Sequence, residues 1–205
     1  MKKDILFIIP SLNTGGGEKS LVNLLEQINY KKYNVDLFVL NRDGLLLNFV
    51  PNEVNILENS SNLELFALPL HKSIIKFISS GKMKFAFYRI MFFIKNRANI
   101  SISKREQYSW KYIRQAIGKL DKKYDVAIGY LEKTSNYICI DCVQANKKIG
   151  WIHTDYNKLD AEKRFDQEYL SKLDYIVTIS EECEEILKKE FNNINKKVKV
   201  IKNIV

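Results

Sequence analysis

The stretch Asp4-Ile-Leu-Phe-Ile-Ile-Pro-Ser-Leu-Asn-Thr-Gly-Gly-Gly-Glu-Lys-Ser20 decides the fold. Asp4 to Pro10 is an apolar, β-prone run closed by proline. Such a run reads as a strand buried on both faces, the habit of parallel sheets. Asn13 to Gly17 follows as a turn. Leu21, Leu24, Leu25 and Ile28 then recur at helical spacing, so Glu18–Asn29 is expected to form an amphipathic helix. Val35–Leu40 is a second apolar strand. A strand, a turn, a helix and a second strand are most economically joined as a parallel pair with a crossover helix.

The pattern extends outward from this unit. Glu53–Leu57 reads as a weaker third strand, and further strands are expected at Asp125–Tyr130, Lys148–His153, Tyr175–Ser180 and Val198–Ile201. Helices are expected between them, near Thr134–Gln144, Leu159–Lys172 and Glu181–Phe191. Ser180, followed by Glu181, Glu182 and Glu184, has the makings of a helix N-cap with acids in the first turn. Alternating strands and helices predict an α/β fold with a doubly wound, mostly parallel, Rossmann-like sheet, as one domain over residues 1–205. The closing segment Ile201–Val205 directly follows an apolar strand, so a further C-terminal portion is expected.

Of the 205 residues, 46% are hydrophobic and 28% charged, which suits one sizeable core and excludes a disordered tail, a collagen-like fibre or a disulfide miniprotein. The apolar run Ile90–Ile94 falls far short of the ~20 residues that span a bilayer. Three cysteines without an export signal point to a reducing cytoplasm. The net charge of +9 has one source. Lys72 to Arg105 carries nine basic residues and no acid; removing those nine from 33 leaves 24 basic residues against 24 acidic. Such an asymmetry marks a polyanionic partner.

Four features carry chemistry. Gly15, Gly16 and Gly17 join the first strand to the first helix, where backbone N–H groups and a positive dipole end suit phosphate or diphosphate. A branched side chain at Gly16 is expected to block that approach and to disfavour the local φ. The dinucleotide fingerprint is half met, because Ser20 holds the third glycine's place, and the P-loop pattern fails at Glu18 and Leu12. A tight turn without a ligand is the competing reading. His153 closes a strand, with Asp155 just beyond it and Glu132 on the same rim, where doubly wound sheets place ligands. His153 and Asp155 there would bind hydroxyls or orient a leaving group, against the competing reading of a capping or core histidine. Cys139 and Cys142 form a single C-x-x-C, expected to be two buried thiols on a helix rather than a zinc or redox site; no metal is expected. In the basic segment, Lys82, Lys84 and Arg89 alternate with aromatics, and Phe85, Tyr88 and Phe92 lie three and four residues apart. Phe85 and Phe92 would insert between the head groups of an anionic membrane. A solvated face over a core-packed helix is the competing reading. A nucleic-acid surface lacks any accompanying motif.

With these residues in hand, the chain resembles the N-terminal half of a family-4 glycosyltransferase of the two-domain GT-B architecture. The likeness runs through Ile8–Leu24 with its "GGxE", through Asp125-Val-Ala-Ile-Gly-Tyr-Leu-Glu132 and Trp151-Ile-His-Thr-Asp-Tyr156, to Asp174–Ser180 and Val198-Lys-Val-Ile-Lys-Asn203. The resemblance implies retaining, metal-independent transfer from a nucleotide-sugar to a glycan or lipid-linked acceptor in bacterial cell-surface synthesis. The only cofactor-like molecule would be the nucleotide-sugar co-substrate. The protein would lie in the cytoplasm, peripheral to the inner face of the plasma membrane. By the same resemblance, Gly15–Gly17 would face the donor diphosphate and His153 the donor sugar near its reacting carbon. The donor-binding domain with its E-x7-E motif is expected outside this chain, so the chain alone should be inactive. Glu18…Glu26 and Glu182…Glu190 share that spacing but fall in helices of the wrong domain. The alternative of a different class is a non-catalytic Rossmann-like module that binds a membrane surface or a partner. A nicotinamide oxidoreductase is weakened by Ser20 and by Leu40-Asn41, where an acid should end the second strand.

Overall fold

The unbroken apolar run at Ile5–Ile9 forms because both faces of its strand are covered. The computed structural model describes residues Met1–Ile204, so Val205, the end of the expected closing segment, lies outside the described residues. The first strand, β1, spans Lys3–Ser11. Leu6 and Ile8 enter a core with Phe38, Trp110, Ala127 and Ile138, whereas Phe7 and Ile9 enter a second core with Leu21, Leu25 and Val39.

Helix α1 (Gly16–Glu26) leads to β2 (Tyr33–Asn41) and the two-residue β3 (Asn55–Ile56). Four helices follow: α2 (Ser61–Ala67), α3 (Leu70–Ser79), α4 (Met83–Asn96) and α5 (Ile102–Ile117). Then come β4 (Lys123–Gly129), α6 (Thr134–Asp141), β5 (Gln144–Ile152), α7 (Lys163–Lys172), β6 (Tyr175–Thr178), α8 (Glu181–Glu190) and β7 (Val198–Val200). The seven strands are all parallel, in the order β3-β2-β1-β4-β5-β6-β7. This is a Rossmann-like doubly wound sheet, as the alternation predicts. The order reverses at β1, which pairs with β2 on one side and β4 on the other. The crevice outside the C-terminal ends of β1 and β4 is where doubly wound folds place ligands.

The sequence pattern misjudges several boundaries, by most at the starts of β5 and α7, and leaves α2, α3 and α5 unread. β5 starts at Gln144 rather than Lys148, because pairing with β4 begins at Lys123↔Gln144 and draws polar residues into the strand. α7 begins at Lys163 after a 3₁₀ turn at Tyr156–Lys158. α5 was not anticipated, although Ser101 caps its start by accepting from Lys104 N–H and Gly118, at φ +75°, ends it.

The orientation of α4 reverses the expected one. Phe85 stacks on Phe77 at 5.5 Å, and Phe92 meets Phe66 edge-on at 5.2 Å. Arg89 lies over the Phe66 and Phe92 rings and donates from Nη2 to the Leu68 carbonyl at 3.2 Å. Lys82 donates to Asn62 Oδ1 at 2.6 Å. Phe85, Arg89 and Phe92 thus face the protein, and Lys82 is tied to it, while Lys84 alone of the five named residues stays exposed. The rings share one helix side, and the apolar partners offered by α2 and α3 claim that side for the core.

Candidate functional site

The glycine turn leads from the end of β1 into α1. Gly15 is the N-cap, with no side-chain hydrogen bond capping the helix, and its carbonyl accepts the first helical bond from Lys19 N–H. The Glu18 carboxylate folds back over Gly15, so an added Cβ there would collide with it. Gly16 is exposed, and a Cβ there would meet nothing within 4 Å. Gly17 is the contact glycine: its Cβ would lie 2.7 Å from Leu131 Cδ2 and 3.6 Å from His153 Nδ1. None of the three has a positive φ, so the turn needs glycine for close approach and not for dihedral freedom, which corrects the expectation at Gly16. An anionic group at this helix start would share it with Glu18.

His153 follows β5 and stands beside the glycine turn. Its ring lies 5.1 Å from that of Tyr130 and stacks on Trp151 at 6.0 Å. Both ring nitrogens are buried and have no hydrogen-bond partner among the described residues. Burial pushes the imidazole pKa below its usual value, opposed in part by the Glu132 carboxylate and the Tyr130 backbone. The ring is therefore neutral at physiological pH, with one donor and one acceptor.

Glu132 makes no hydrogen bond to the imidazole. Its Oε2 accepts from His153 N–H at 3.1 Å and its Oε1 from Thr154 Oγ at 2.7 Å, which fixes the chain leaving β5. Asp155 shares the rim but is occupied elsewhere. Its carboxylate accepts from Asn157 N–H at 3.0 Å and pairs with Lys158 at 3.5 Å. The structure thus brings Gly17, Glu132 and His153 together and leaves Asp155 as a turn cap.

One rim residue escaped the sequence reading. Asn136, 2% exposed, lies over Gly129 and Gly150, which are register partners in β4 and β5. A Cβ at Gly129 would fall against Asn136 Oδ1 and 2.8 Å from the Ser135 carbonyl carbon; one at Gly150 would lie 2.7 Å from the same Oδ1. Two glycines near the ends of successive strands were the available signal. Ser135 Oγ, both amide atoms of Asn136 and Trp151 Nε1 are buried without partners among the described residues, like the His153 nitrogens. An unpartnered buried polar group costs about 1–3 kcal/mol, so such groups are ordinarily met by water or a ligand.

On the far side of the α6 start lies a groove of about 440 Å³, lined by Leu40, Phe92, Ile102, Arg105, Trp110 and Thr134 among others. His153 does not line this groove. Lys133, at φ +59°, links the two regions by pairing with Glu106 at 2.8 Å, while Glu106 also accepts from Thr134 N–H at 3.1 Å. Cys139 in α6 and Cys142, its C-cap rather than a helical residue, are both buried as expected, and burial pushes both thiols up to about 12. Among the described residues, no three His, Cys, Asp or Glu side chains converge so as to hold a metal ion, and no helix is long and apolar enough to cross a membrane. A scan against protein-family models and a search of curated proteins both return no match.

Proposed function

We propose that this chain is the acceptor-side half of a retaining GT-B glycosyltransferase, which moves a sugar from a nucleotide-sugar to a glycan or lipid-linked acceptor in bacterial cell-surface synthesis. One observation carries the reading. At the switch point of the sheet, a Cβ added at Gly17 would lie 3.6 Å from Nδ1 of His153, whose two ring nitrogens are buried and have no partner among the described residues.

The roles follow from that geometry. The backbone at Gly15 and Gly16 faces the donor diphosphate. Neutral His153 donates one hydrogen bond and accepts another at the donor sugar. Glu132, by gripping His153 N–H and Thr154, is a positioning residue. The anomeric carbon–phosphate oxygen bond breaks, the acceptor oxygen bonds to the same face of that carbon, and the acceptor's proton leaves with the nucleoside diphosphate. The groove beside Trp110, about 440 Å³, would take the acceptor. No metal is called for in this scheme.

The test is sugar transfer by the product of the complete reading frame, with a panel of nucleotide-sugars and a chelator present. The expected result is a product with retained anomeric configuration and no turnover by residues 1–205 alone. Absence of transfer from every nucleotide-sugar, or robust turnover by residues 1–205 alone, overturns the reading.

A further inference from the structure

With Phe85, Arg89 and Phe92 facing inward, the opposite side of α4 carries a different set. Met83, Phe87, Ile90 and Ile94 are 61%, 55%, 38% and 53% exposed. Their spacing of four, three and four residues places them within a sector of about 60° on a helix turning ~100° per residue. On the preceding helix, Ile75 and Ile78 are 63% and 49% exposed. A soluble surface scatters single apolar residues, whereas a continuous stripe marks a contact face.

The surrounding charge selects the partner. Lys72, Lys76, Lys84 and Arg97 are exposed, and none pairs with an acid among the described residues. The whole span from Lys72 to Arg105 holds no Asp or Glu. An apolar stripe bordered by unpaired cations complements a surface that is apolar within and anionic at its edge, as an acidic bilayer is. A second copy of the chain fits less well, since it would bring a second set of uncompensated cations to the same interface.

We infer that the outward face of α4, through Met83, Phe87, Ile90 and Ile94 with Lys76 and Lys84, docks the protein on an anionic lipid surface. The inserted groups are therefore not Phe85 and Phe92, which belong to the core. This inference is independent of what the rim transfers.

The experiment is flotation of the 205-residue chain with vesicles of phosphatidylcholine alone or mixed with phosphatidylglycerol, across a salt series. Binding should require phosphatidylglycerol and weaken as salt rises. Lys76→Glu with Lys84→Glu should lower the low-salt partition at least tenfold, since each cation near an anionic surface contributes about a fivefold factor. Phe87→Ser with Ile90→Ser should lower the part that survives high salt about tenfold. Both pairs should keep the wild-type circular dichroism spectrum, because all four positions are exposed or nearly so. Three results overturn the inference. They are equal or negligible flotation with both vesicle types, binding unchanged by Phe87→Ser with Ile90→Ser, and a concentration-dependent dimer that this second pair abolishes.

Discussion

The rim of the sheet and the outer face of α4 are incomplete in opposite senses. At the rim, polar atoms are buried without partners among the described residues: the nitrogens of His153 and Trp151, the amide of Asn136 and the hydroxyl of Ser135. On α4, apolar side chains stand in solvent without partners: Met83, Phe87, Ile90 and Ile94. Folding alone rewards neither arrangement, since unpaired buried polar groups and exposed apolar stripes both cost free energy that a substitution could recover. The contrast teaches that the two regions invite different chemistry, which is why the proposals made for them are independent. The rim suits a ligand with hydrogen-bonding groups, and the helix suits an apolar surface edged with negative charge.

The largest expected effect tests how tightly the rim is built. Gly129→Ala places a methyl group against Asn136 Oδ1 and the Ser135 backbone and should cost about 3 kcal/mol, read as a fall in the thermal midpoint. Gly16→Ala meets open space and should leave the midpoint nearly unchanged, so the two glycines separate packing from ligand access. Equal losses at both positions would erase that distinction.

Next in size is the inward face of α4. Phe92→Ser removes a ring packed on Phe66 and lying under Arg89, and should cost about 2 kcal/mol in chemical denaturation. Phe87→Ser, on the outward face, should stay within about 0.5 kcal/mol. A comparable loss from Phe87→Ser would mean that the stripe already has a partner within the protein.

A smaller effect concerns His153 and pH. Burial holds its pKa below the unfolded value of about 6.5, so the unfolded chain binds the proton more readily than the folded chain. The neutral ring's contribution is complete above that pH and is lost as pH falls through it toward the folded pKa. His153→Phe, which keeps a ring on Trp151, should flatten the decline in stability between about pH 7.5 and 5.5. The other histidine, His71, is exposed. A decline of unchanged slope in the variant would place the pH dependence elsewhere.

Much of this architecture was legible in the sequence, for definite physical reasons. A strand buried on both faces must be apolar throughout, so β1 and β2 announced themselves, and with them the parallel sheet. The glycine turn and His153 were legible because the loop after a strand and the end of a strand are chemically conspicuous places. Most of what escaped depends on partners distant in sequence, with Asp155 the local exception. The spacing of Phe85, Tyr88 and Phe92 defines a helix face but does not say which way it points; Phe66 and Phe77, from α2 and α3, decide that. Asp155 looked free beside His153, yet its carboxylate is taken up by Asn157 N–H two residues along. Asn136 could be found only by knowing that Gly129 and Gly150 are neighbours in register.

The most direct test of the central claim, that the rim at His153 handles the transferred sugar, is the turnover of His153→Ala in the product of the complete reading frame, measured beside its thermal midpoint. A catalytic contact at this position predicts a fall in transfer of about 100-fold, with the midpoint shifted by only a few degrees. Transfer at the wild-type rate by a folded His153→Ala protein would contradict the claim.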